Sequence, residues 1–235
     1  MAGLVGIRAE DMEQVDALQR AKLDFPQGLP FIRPSVRVPV LVQVEKKVDF
    51  KVARFGMSRR FTSFNARSEN LTEGKLWKSM FGKSHAVAAL SYIVEWKGEG
   101  EDRKPFLIGR RDGKLMMTPA LFGHSLDDKT EFGFAICTRE PNGFFKNFHD
   151  RMVGVLDKET MERWLDPASS TPAKLLECVR AAGEDELAAW AVKGDPTKRK
   201  SGDWSPVEST GKPLTADDFK AAPAKKKGGQ AKLID

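Results

Sequence analysis

The sequence of 235 residues is poor in cysteine and has no long apolar run. Its two cysteines, Cys137 and Cys178, are too few for a disulfide framework, and no CxxC pair predicts a zinc site. No stretch approaches the roughly 20 apolar residues that a membrane helix needs. The first residues also lack the basic start and apolar run of a secretory signal. We therefore expect a cytoplasmic protein without membrane contact, and we predict neither a metal site nor a cofactor.

Positive charge is in slight excess, with 39 Lys and Arg against 33 Asp and Glu, a net charge of +6. The segment 211–235 holds six Lys and three Asp, so +3 of this charge lies there and +3 on the rest of the chain. A positive surface attracts polyanions and makes their binding sensitive to salt. This balance is compatible with DNA binding but does not establish it, since many mildly basic proteins bind no nucleic acid.

Apolar periodicity predicts a mixture of strands and helices. Strands are predicted at 36–42, 50–56, 85–96 (as one strand or two), 105–109, 115–117 and 132–138. Helices are predicted at 10–23, 73–82, 158–165 and 171–191. Pro39 indicates that the first of these strands lies at an edge or begins a pairing. The order of elements predicts an α+β domain around a curved, mostly antiparallel sheet.

The composition changes near Lys193, where Lys, Gly, Pro and Ser become frequent. Segments of this composition rarely form a packed core. We therefore place the folded domain in residues 1–210 and predict a Lys-rich, disordered tail at 211–235.

The segment Phe64–Glu69 places an amide, a guanidinium, a hydroxyl and a carboxylate close together. In an extended strand, Asn65 and Arg67 would point to the same face, because side chains alternate. Arg67 would then be able to hold a phosphate while Asn65 orients a neighbouring polar group. A polar turn on the surface is the alternative interpretation of this segment.

Two further polar groups interrupt apolar stretches. Glu95 ends the apolar run 87–94, and burial beside Trp96 would raise its pKa and suit it to proton transfer. The alternative is a strand end that faces water. His149 and Arg151 follow an aromatic stretch and combine a group that titrates near neutrality with a phosphate ligand. Their alternative is a surface loop in which Asp150 and Arg151 pair locally.

Taken together, these motifs resemble the SOS-response-associated peptidase (SRAP) family. The resemblance covers roughly residues 2–205 and leaves the tail outside. It rests on motifs in matching order and spacing, namely Phe64–Glu69, the pair Glu95-Trp96, His149–Met152 after a strand that ends in Thr138, and Pro34–Val40.

The resemblance implies a barrel-like sheet with flanking helices and a groove for single-stranded DNA. Members of the family link covalently to abasic sites through a cysteine at position 2, and some remove a short N-terminal extension. By motif, Asn65 would position the N-terminal residue or the sugar, Glu95 would serve acid–base steps, and His149 would help to open the sugar ring. Arg67 and Arg151 would hold the flanking phosphates. The implied partner is single-stranded DNA that contains abasic sites, bound by a monomer associated with the nucleoid.

Four other residues complete the predicted DNA contacts. Arg59 and Arg60 precede the hexamer and would extend its positive charge, although a solvated pair is the simpler interpretation. Trp77 is a candidate for stacking on a base, which contributes about 1–3 kcal/mol per base, although a place in the core is the alternative. Thr138 is included because it ends the strand that precedes the histidine motif.

Position 2 departs from the family pattern, because Ala2 stands where the resemblance implies the nucleophilic cysteine. Either the cysteine was replaced deliberately, or the natural protein lost it. In both cases, removal of Met1 leaves an α-amine, and α-amines have pKa values of about 8. Such an amine forms a reversible Schiff base with an aldehyde, but without a thiol the stable thiazolidine cannot close.

We therefore expect a protein that binds abasic single strands and at most forms a Schiff base with them. One alternative is a protein that only grips single-stranded or junction DNA. The other is an autopeptidase with an N-terminal nucleophile, which the lack of a side-chain nucleophile at Ala2 disfavours.

Overall fold

The computed structural model describes residues 3–60, 63–198 and 205–220. Four short helices accompany the strands: α1 (Asp16–Ala21), α2 (Lys75–Lys78), α3 (Lys158–Leu165) and α4 (Pro172–Cys178). Thirteen strands make up most of the rest: β1 (Val5–Ile7), β2 (Leu29–Ile32), β3 (Arg37–Val44), β4 (Lys47–Phe55), β5 (Asn65–Arg67), β6 (His85–Leu90), β7 (Tyr92–Lys97), β8 (Lys104–Arg110), β9 (Met116–His124), β10 (Phe132–Arg139), β11 (Met152–Val153), β12 (Leu187–Val192) and β13 (Ser209–Leu214).

Five of these strands form a closed barrel in the order β10-β4-β3-β6-β9, with β9 pairing back onto β10. Most neighbours are antiparallel, but β4 and β5 both run parallel to β10. Strand β11 pairs with the end of β10. Closure leaves the barrel strands without free edges and encloses a dense apolar core. The predicted barrel-like, mostly antiparallel sheet is confirmed.

A second sheet packs beside the barrel in the order β13-β12-β8-β7-β1-β2, and each strand pairs with its neighbour in antiparallel fashion. The predicted apolar run at 85–96 forms two strands, one for each sheet, with a break at Ser91. Pro39 lies opposite Val52 of β4, two residues before Leu41 pairs with Val87 of β6. Proline thus occupies the part of β3 where a missing N–H does not interrupt that second pairing.

The prediction of one helix at 171–191 is wrong for the second half of that range. The helix α4 ends at Cys178, and Leu187–Val192 form the strand β12 between β8 and β13. The local sequence Ala-Ala-Trp-Ala favours a helix, but Leu187, Ala188 and Ala189 are all buried, as in a strand covered on both faces. Tertiary pairing therefore overrides local propensity here.

The folded structure continues past the predicted boundary at residue 210. Strand β13 pairs with β12 through Leu214, and the turn that follows packs Phe219 against the apolar core. Residues 211–220 therefore belong to the packed part of the chain. The remaining predicted tail, 221–235, lies outside the described residues.

The longest described helix, α3, has only eight residues, so no described helix is long and apolar enough to cross a membrane.

One buried histidine fastens α3 to the barrel. The His85 ring stacks on Trp164 with centroids 3.9 Å apart, and its Nε2 accepts a hydrogen bond from the Gly82 amide at 3.0 Å. The proton of the neutral ring therefore lies on Nδ1, which donates to the Trp164 carbonyl at 2.8 Å. The Trp164 indole in turn donates to the Ala86 carbonyl at 2.9 Å. The bond from the Gly82 amide requires a lone pair on Nε2, and therefore a neutral His85 ring.

Acid should therefore weaken the fold through His85. Burial lowers the pKa of His85 to about 4, whereas an unfolded histidine titrates near 6.5. Between these values the unfolded chain binds more protons, so stability falls as the pH falls, by roughly 3 kcal/mol in all. We expect the Tm of the wild type to drop more steeply from pH 6.5 to 4.5 than the Tm of His85→Gln. The exposed control His124→Gln should keep the wild-type steepness, and equal slopes in wild type and His85→Gln would contradict this account.

Candidate functional site

The hexamer Phe64–Glu69 lies along strand β10, beside Thr138. Strand β5 pairs in parallel with β10, so that Asn65 lies opposite Ile136 and Arg67 opposite Thr138. Paired residues of neighbouring strands point to the same side of a sheet, and residues two apart in one strand do so as well. Asn65, Arg67 and Thr138 therefore share one face at the end of β10.

This face carries polar groups that no described residue satisfies. Within the described ranges, neither polar atom of the Asn65 side chain nor Oγ1 of Thr138 has a hydrogen-bond partner, although all three atoms are buried. Leaving such a group unpaired costs about 1–3 kcal/mol, and native proteins keep few of them. Arg67 is exposed and makes no ion pair with any described residue. The face thus combines an exposed guanidinium with a buried amide and a buried hydroxyl that lack partners among the described residues.

A bidentate ion pair joins the hexamer to the histidine motif. Nη1 and Nη2 of Arg151 donate to the two carboxylate oxygens of Glu69 at 2.9 and 2.8 Å. Nη2 also donates to the Thr138 carbonyl at 2.9 Å. The guanidinium holds the pKa of Glu69 below its ordinary value. Arg151 therefore pairs with Glu69 rather than with Asp150, and its charge serves to lock the two motifs together.

Glu95 lies on the neighbouring sheet as a buried acid. Its side chain is 4% exposed on β7, where it lies opposite Phe106 of β8. Burial raises the pKa of Glu95, and the negative charge of Asp150 acts in the same direction. The carboxyl therefore keeps its proton to a higher pH than an exposed glutamate, which suits it to donate that proton.

His149 has two contacts at one ring nitrogen. Its Nδ1 lies 2.7 Å from a carboxylate oxygen of Asp150 and 3.0 Å from the Arg151 amide nitrogen. The first contact needs a proton on Nδ1, whereas the second needs a lone pair there. Burial lowers the pKa of His149, which favours the neutral ring and the bond from Arg151. The surroundings thus offer a partner to either protonation state, as suits a group that takes up and releases a proton.

An open cleft of 770 Å³ brings the Glu95 strand and the histidine motif together. Trp96 and Lys97 line it from β7, and Phe148, His149 and Asp150 line it from the loop before β11. Phe148 packs edge-on against Phe106, the partner of Glu95, with ring centroids 5.4 Å apart. The cleft therefore lies at the junction of the two sheets.

The beginning of the described chain lies beside the same strand. The Val94 amide donates to the Leu4 carbonyl at 2.9 Å, and Val5 pairs with Ile93. Because β1 and β7 are antiparallel, Gly3 lies level with the end of β7 that carries Glu95. Ala2, the predicted position of the nucleophile, lies outside the described residues.

Three predicted DNA contacts are not part of this cluster. Arg59 pairs with Glu131, and Arg60 lies 4.0 Å from Asp127, both in the loop that precedes β10. That loop is at the opposite end of β10 from Thr138, a span of about 20 Å for six residues. Trp77 is half-buried and packs against the apolar core.

Sequence reasoning missed two features of the site. The pairing of Glu69 with Arg151 joins residues 82 positions apart, and nothing in the local pattern predicts it. Lys97 was also overlooked, although it follows Glu95 by two positions and so lies on the same face of β7.

Solved structures share this architecture. A protein from Bacteroides thetaiotaomicron has a TM-score of 0.70 at 17% identity, and the match covers 86% of this chain and 96% of that protein. A phage-related protein from Bordetella bronchiseptica has a TM-score of 0.62 at 22% identity, covering 82% of this chain and 94% of that one. At these identities the similarity shows the fold.

Sequence comparisons point to one family. The chain is 30% identical over 177 residues to the abasic site processing protein YedK of Escherichia coli, covering 69% of this chain and 79% of that protein. It is 32% identical over 115 residues to the abasic site processing protein YMR114C of Saccharomyces cerevisiae, covering 48% of this chain but only 31% of the yeast protein. The family model described as SOS response associated peptidase (SRAP) matches residues 8–196. Because that model covers most of the chain, the resemblance seen in the sequence is confirmed, and the chain belongs to the SRAP family.

Proposed function

We propose that this protein recognises abasic sites in single-stranded DNA. Its relatives in Escherichia coli and Saccharomyces cerevisiae are named abasic site processing proteins. The observation that carries the proposal is the polar face of Asn65, Arg67 and Thr138, joined through the Glu69–Arg151 ion pair to the loop that bears His149. As part of this proposal, the protein is a cytoplasmic monomer that associates with the nucleoid.

Each group of the site has a role in such recognition. Arg67 binds a phosphate that flanks the lesion, since its guanidinium is exposed and makes no ion pair among the described residues. The Asn65 amide and the Thr138 hydroxyl hydrogen-bond the sugar or the backbone. Glu95 and His149 move protons, because the first keeps its proton unusually well and the second has partners in both protonation states.

The chemistry open to the Ala2 form is a Schiff base. Once Met1 is removed, the neutral α-amine of Ala2 attacks the aldehyde carbon of the ring-opened abasic sugar. The aldehyde oxygen takes one proton from the attacking amine and a second from the buried Glu95 carboxyl, and it leaves as water as the carbon–nitrogen double bond forms. His149 accepts the other amine proton, and its transfer to the Glu95 carboxylate restores both groups. The imine remains reversible, because no thiol is present to close a thiazolidine.

The family name also raises the question of peptidase activity, which this chain is poorly equipped to perform. Ala2 offers no side-chain nucleophile. Cys137 and Cys178 are both buried, and burial raises the pKa of each thiol, so neither supplies a reactive thiolate. The stronger alternative is a protein that binds single-stranded or junction DNA without any covalent step, because the residue that would form the stable bond is absent.

Restoring the cysteine tests the covalent role. We expect Ala2→Cys to form a heat-stable crosslink with an abasic single strand, whereas the wild type forms an adduct only when borohydride reduces the imine. Denaturing gels measure both products, and Ala2→Ser serves as the matched control that lacks a thiol. If the wild type gives no borohydride adduct but still binds, the binding-only alternative is correct. If Ala2→Cys also gives no crosslink, the proposed function fails.

The phosphate role of Arg67 predicts a specific change in salt dependence. Removing one phosphate contact to a single strand lowers the slope of log K against log salt by about 0.7. We expect Arg67→Ala to show this reduction in fluorescence anisotropy titrations across several salt concentrations. Arg59→Ala is the control, because Arg59 is also exposed but pairs with Glu131 at the far end of β10. Equal slopes for the two variants would remove Arg67 from the interface.

At pH 8, Glu95 should stabilise the fold less than a glutamine at the same position would. Because burial raises its pKa, Glu95 supports stability fully below its ordinary pKa, and this contribution is lost as the pH rises through the folded value. We expect Glu95→Gln to melt above the wild type at pH 8, with 1 kcal/mol worth about 2–4 °C, and to lose that advantage near pH 4. The same variant should form the borohydride adduct more slowly while binding DNA with unchanged affinity. If Glu95→Gln had a lower Tm than the wild type at pH 8, the raised pKa of Glu95 would be contradicted.

A further inference from the structure

Lys97 places a cation on the wall of the candidate cleft, on the strand that carries the buried acid. It lies two residues beyond Glu95 on β7, so the two side chains point to the same side of that sheet. Lys97 lines the cleft together with Phe148 and His149. Its side chain is half-buried, whereas the other lysine of the cleft, Lys146, is exposed. The fold therefore holds one cation against the wall of the cleft.

Aromatic rings, rather than a carboxylate, hold this cation. The Lys97 ammonium lies 4.8 Å from the centre of the Phe219 ring and 5.9 Å from the centre of the Phe148 ring. Both distances lie within the roughly 6 Å over which a ring face attracts a cation. Within the described parts of the chain, Lys97 makes no ion pair and donates no hydrogen bond. Ring faces attract the charge without neutralising it, so the N–H groups of Lys97 remain available to an anionic oxygen.

The cleft as a whole has no excess of positive charge. Besides the titratable His149, its charged side chains are three acids and two lysines: Glu99, Glu140, Asp150, Lys97 and Lys146. The nearby guanidinium of Arg151 is already paired with Glu69. A phosphate that enters the cleft therefore finds no general attraction there and needs a particular cation that no acid neutralises. Lys97 meets this requirement.

The ring nearest to Lys97 belongs to a part of the chain beyond the family-matched residues. The family model ends at residue 196, and the turn Ala216–Phe219 comes after β13. Phe219 packs edge-on against Phe148 and Phe144, with ring centroids 5.7 and 5.8 Å apart. These contacts give Phe219 a fixed place beside the cleft. Through the face of its ring, Phe219 gives the Lys97 ammonium a fixed place as well.

We propose that Lys97 binds a phosphate of the single strand inside the cleft, beside the sugar on which Glu95 acts, and that Phe219 is the positioning residue that holds its ammonium there. This role rests on the proposed function, since the partner is the same strand. Because Arg67 belongs to the barrel sheet and Lys97 to the second sheet, we assign the two cations to different phosphates. Phosphates are common to every nucleotide, so Lys97 adds affinity without reading the lesion.

Lys97→Gln in the full-length protein tests the phosphate contact. Lys51→Gln is the matched control, because Lys51 is also a strand lysine that makes no ion pair with any described residue. It precedes Arg54, which lies opposite the beginning of β10, so it is at the other end of the barrel from Thr138. Fluorescence anisotropy measures the affinities for an abasic and an undamaged single strand of equal length at several salt concentrations.

We expect Lys97→Gln to reduce the slope of log K against log salt by about 0.7 on both strands, while Lys51→Gln retains the wild-type slope. The preference of Lys97→Gln for the abasic strand should equal that of the wild type. Equal slopes for Lys97→Gln and the wild type would overturn the inference, and so would equal losses in both variants, which would reflect net charge alone. If the wild type binds neither strand, the proposed function fails instead, so the two failures are distinguishable.

The positioning role of Phe219 is tested by its coupling to Lys97. Phe219→Leu keeps an apolar side chain in the turn but removes the ring face, so we expect the affinity for DNA to fall about two- to fivefold, as the loss of one cation–π contact implies. The same substitution in the Lys97→Gln background should cause no further loss, and Phe219→Tyr, which keeps the ring, should retain the wild-type affinity. If Phe219→Leu has the same effect in both backgrounds, or none in either, Phe219 does not act through Lys97 and the positioning role is wrong.

Discussion

The site depends on one shared strand, β10, to which β4, β5, β9 and β11 all pair. The first half of β10 closes the barrel, and its second half pairs with β5 on one side and with β11 on the other. The hexamer and the histidine motif, far apart in sequence, are therefore positioned by hydrogen bonds to a single backbone. The Glu69–Arg151 pair then fixes their side chains across the end of that strand. Loss of this register would move Asn65 and Arg67 away from Thr138.

Burial shifts the pKa values of Glu95 and His149 and also limits stability. Glu95 holds its proton because it is withdrawn from water, and His149 favours its neutral form for the same reason. Asn65 and Thr138 keep buried polar atoms without partners in the described chain. Each feature weakens the fold slightly, and His85 shows the contrast. The His85 ring is also buried, but its two nitrogens both have hydrogen-bond partners, and it holds α3 against the barrel.

The sequence predicted the fold class correctly, and particular residues show why other features were not predictable. Alternation placed Asn65 and Arg67 on one strand face, and a run ending in a carboxylate marked Glu95. Both are local patterns with a physical period. The pairing of Arg151 with Glu69 depends on strand order, so local reasoning favoured Asp150. The strand β12 was predicted as a helix, because its alanines favour a helix and its pairing with β8 and β13 depends on distant parts of the chain. The packing of Phe219 against Phe148, 71 positions earlier, is likewise a contact between distant parts of the chain.

The most direct test of the central claim is a crystal structure of the wild-type protein with a single strand that carries a non-reactive abasic analogue. The account predicts that the lesion sugar lies between Asn65 and Glu95, with His149 within hydrogen-bonding reach and a flanking phosphate on Arg67. A strand bound along the Arg59 and Arg60 loop, with its lesion sugar remote from Glu95 and His149, would contradict it.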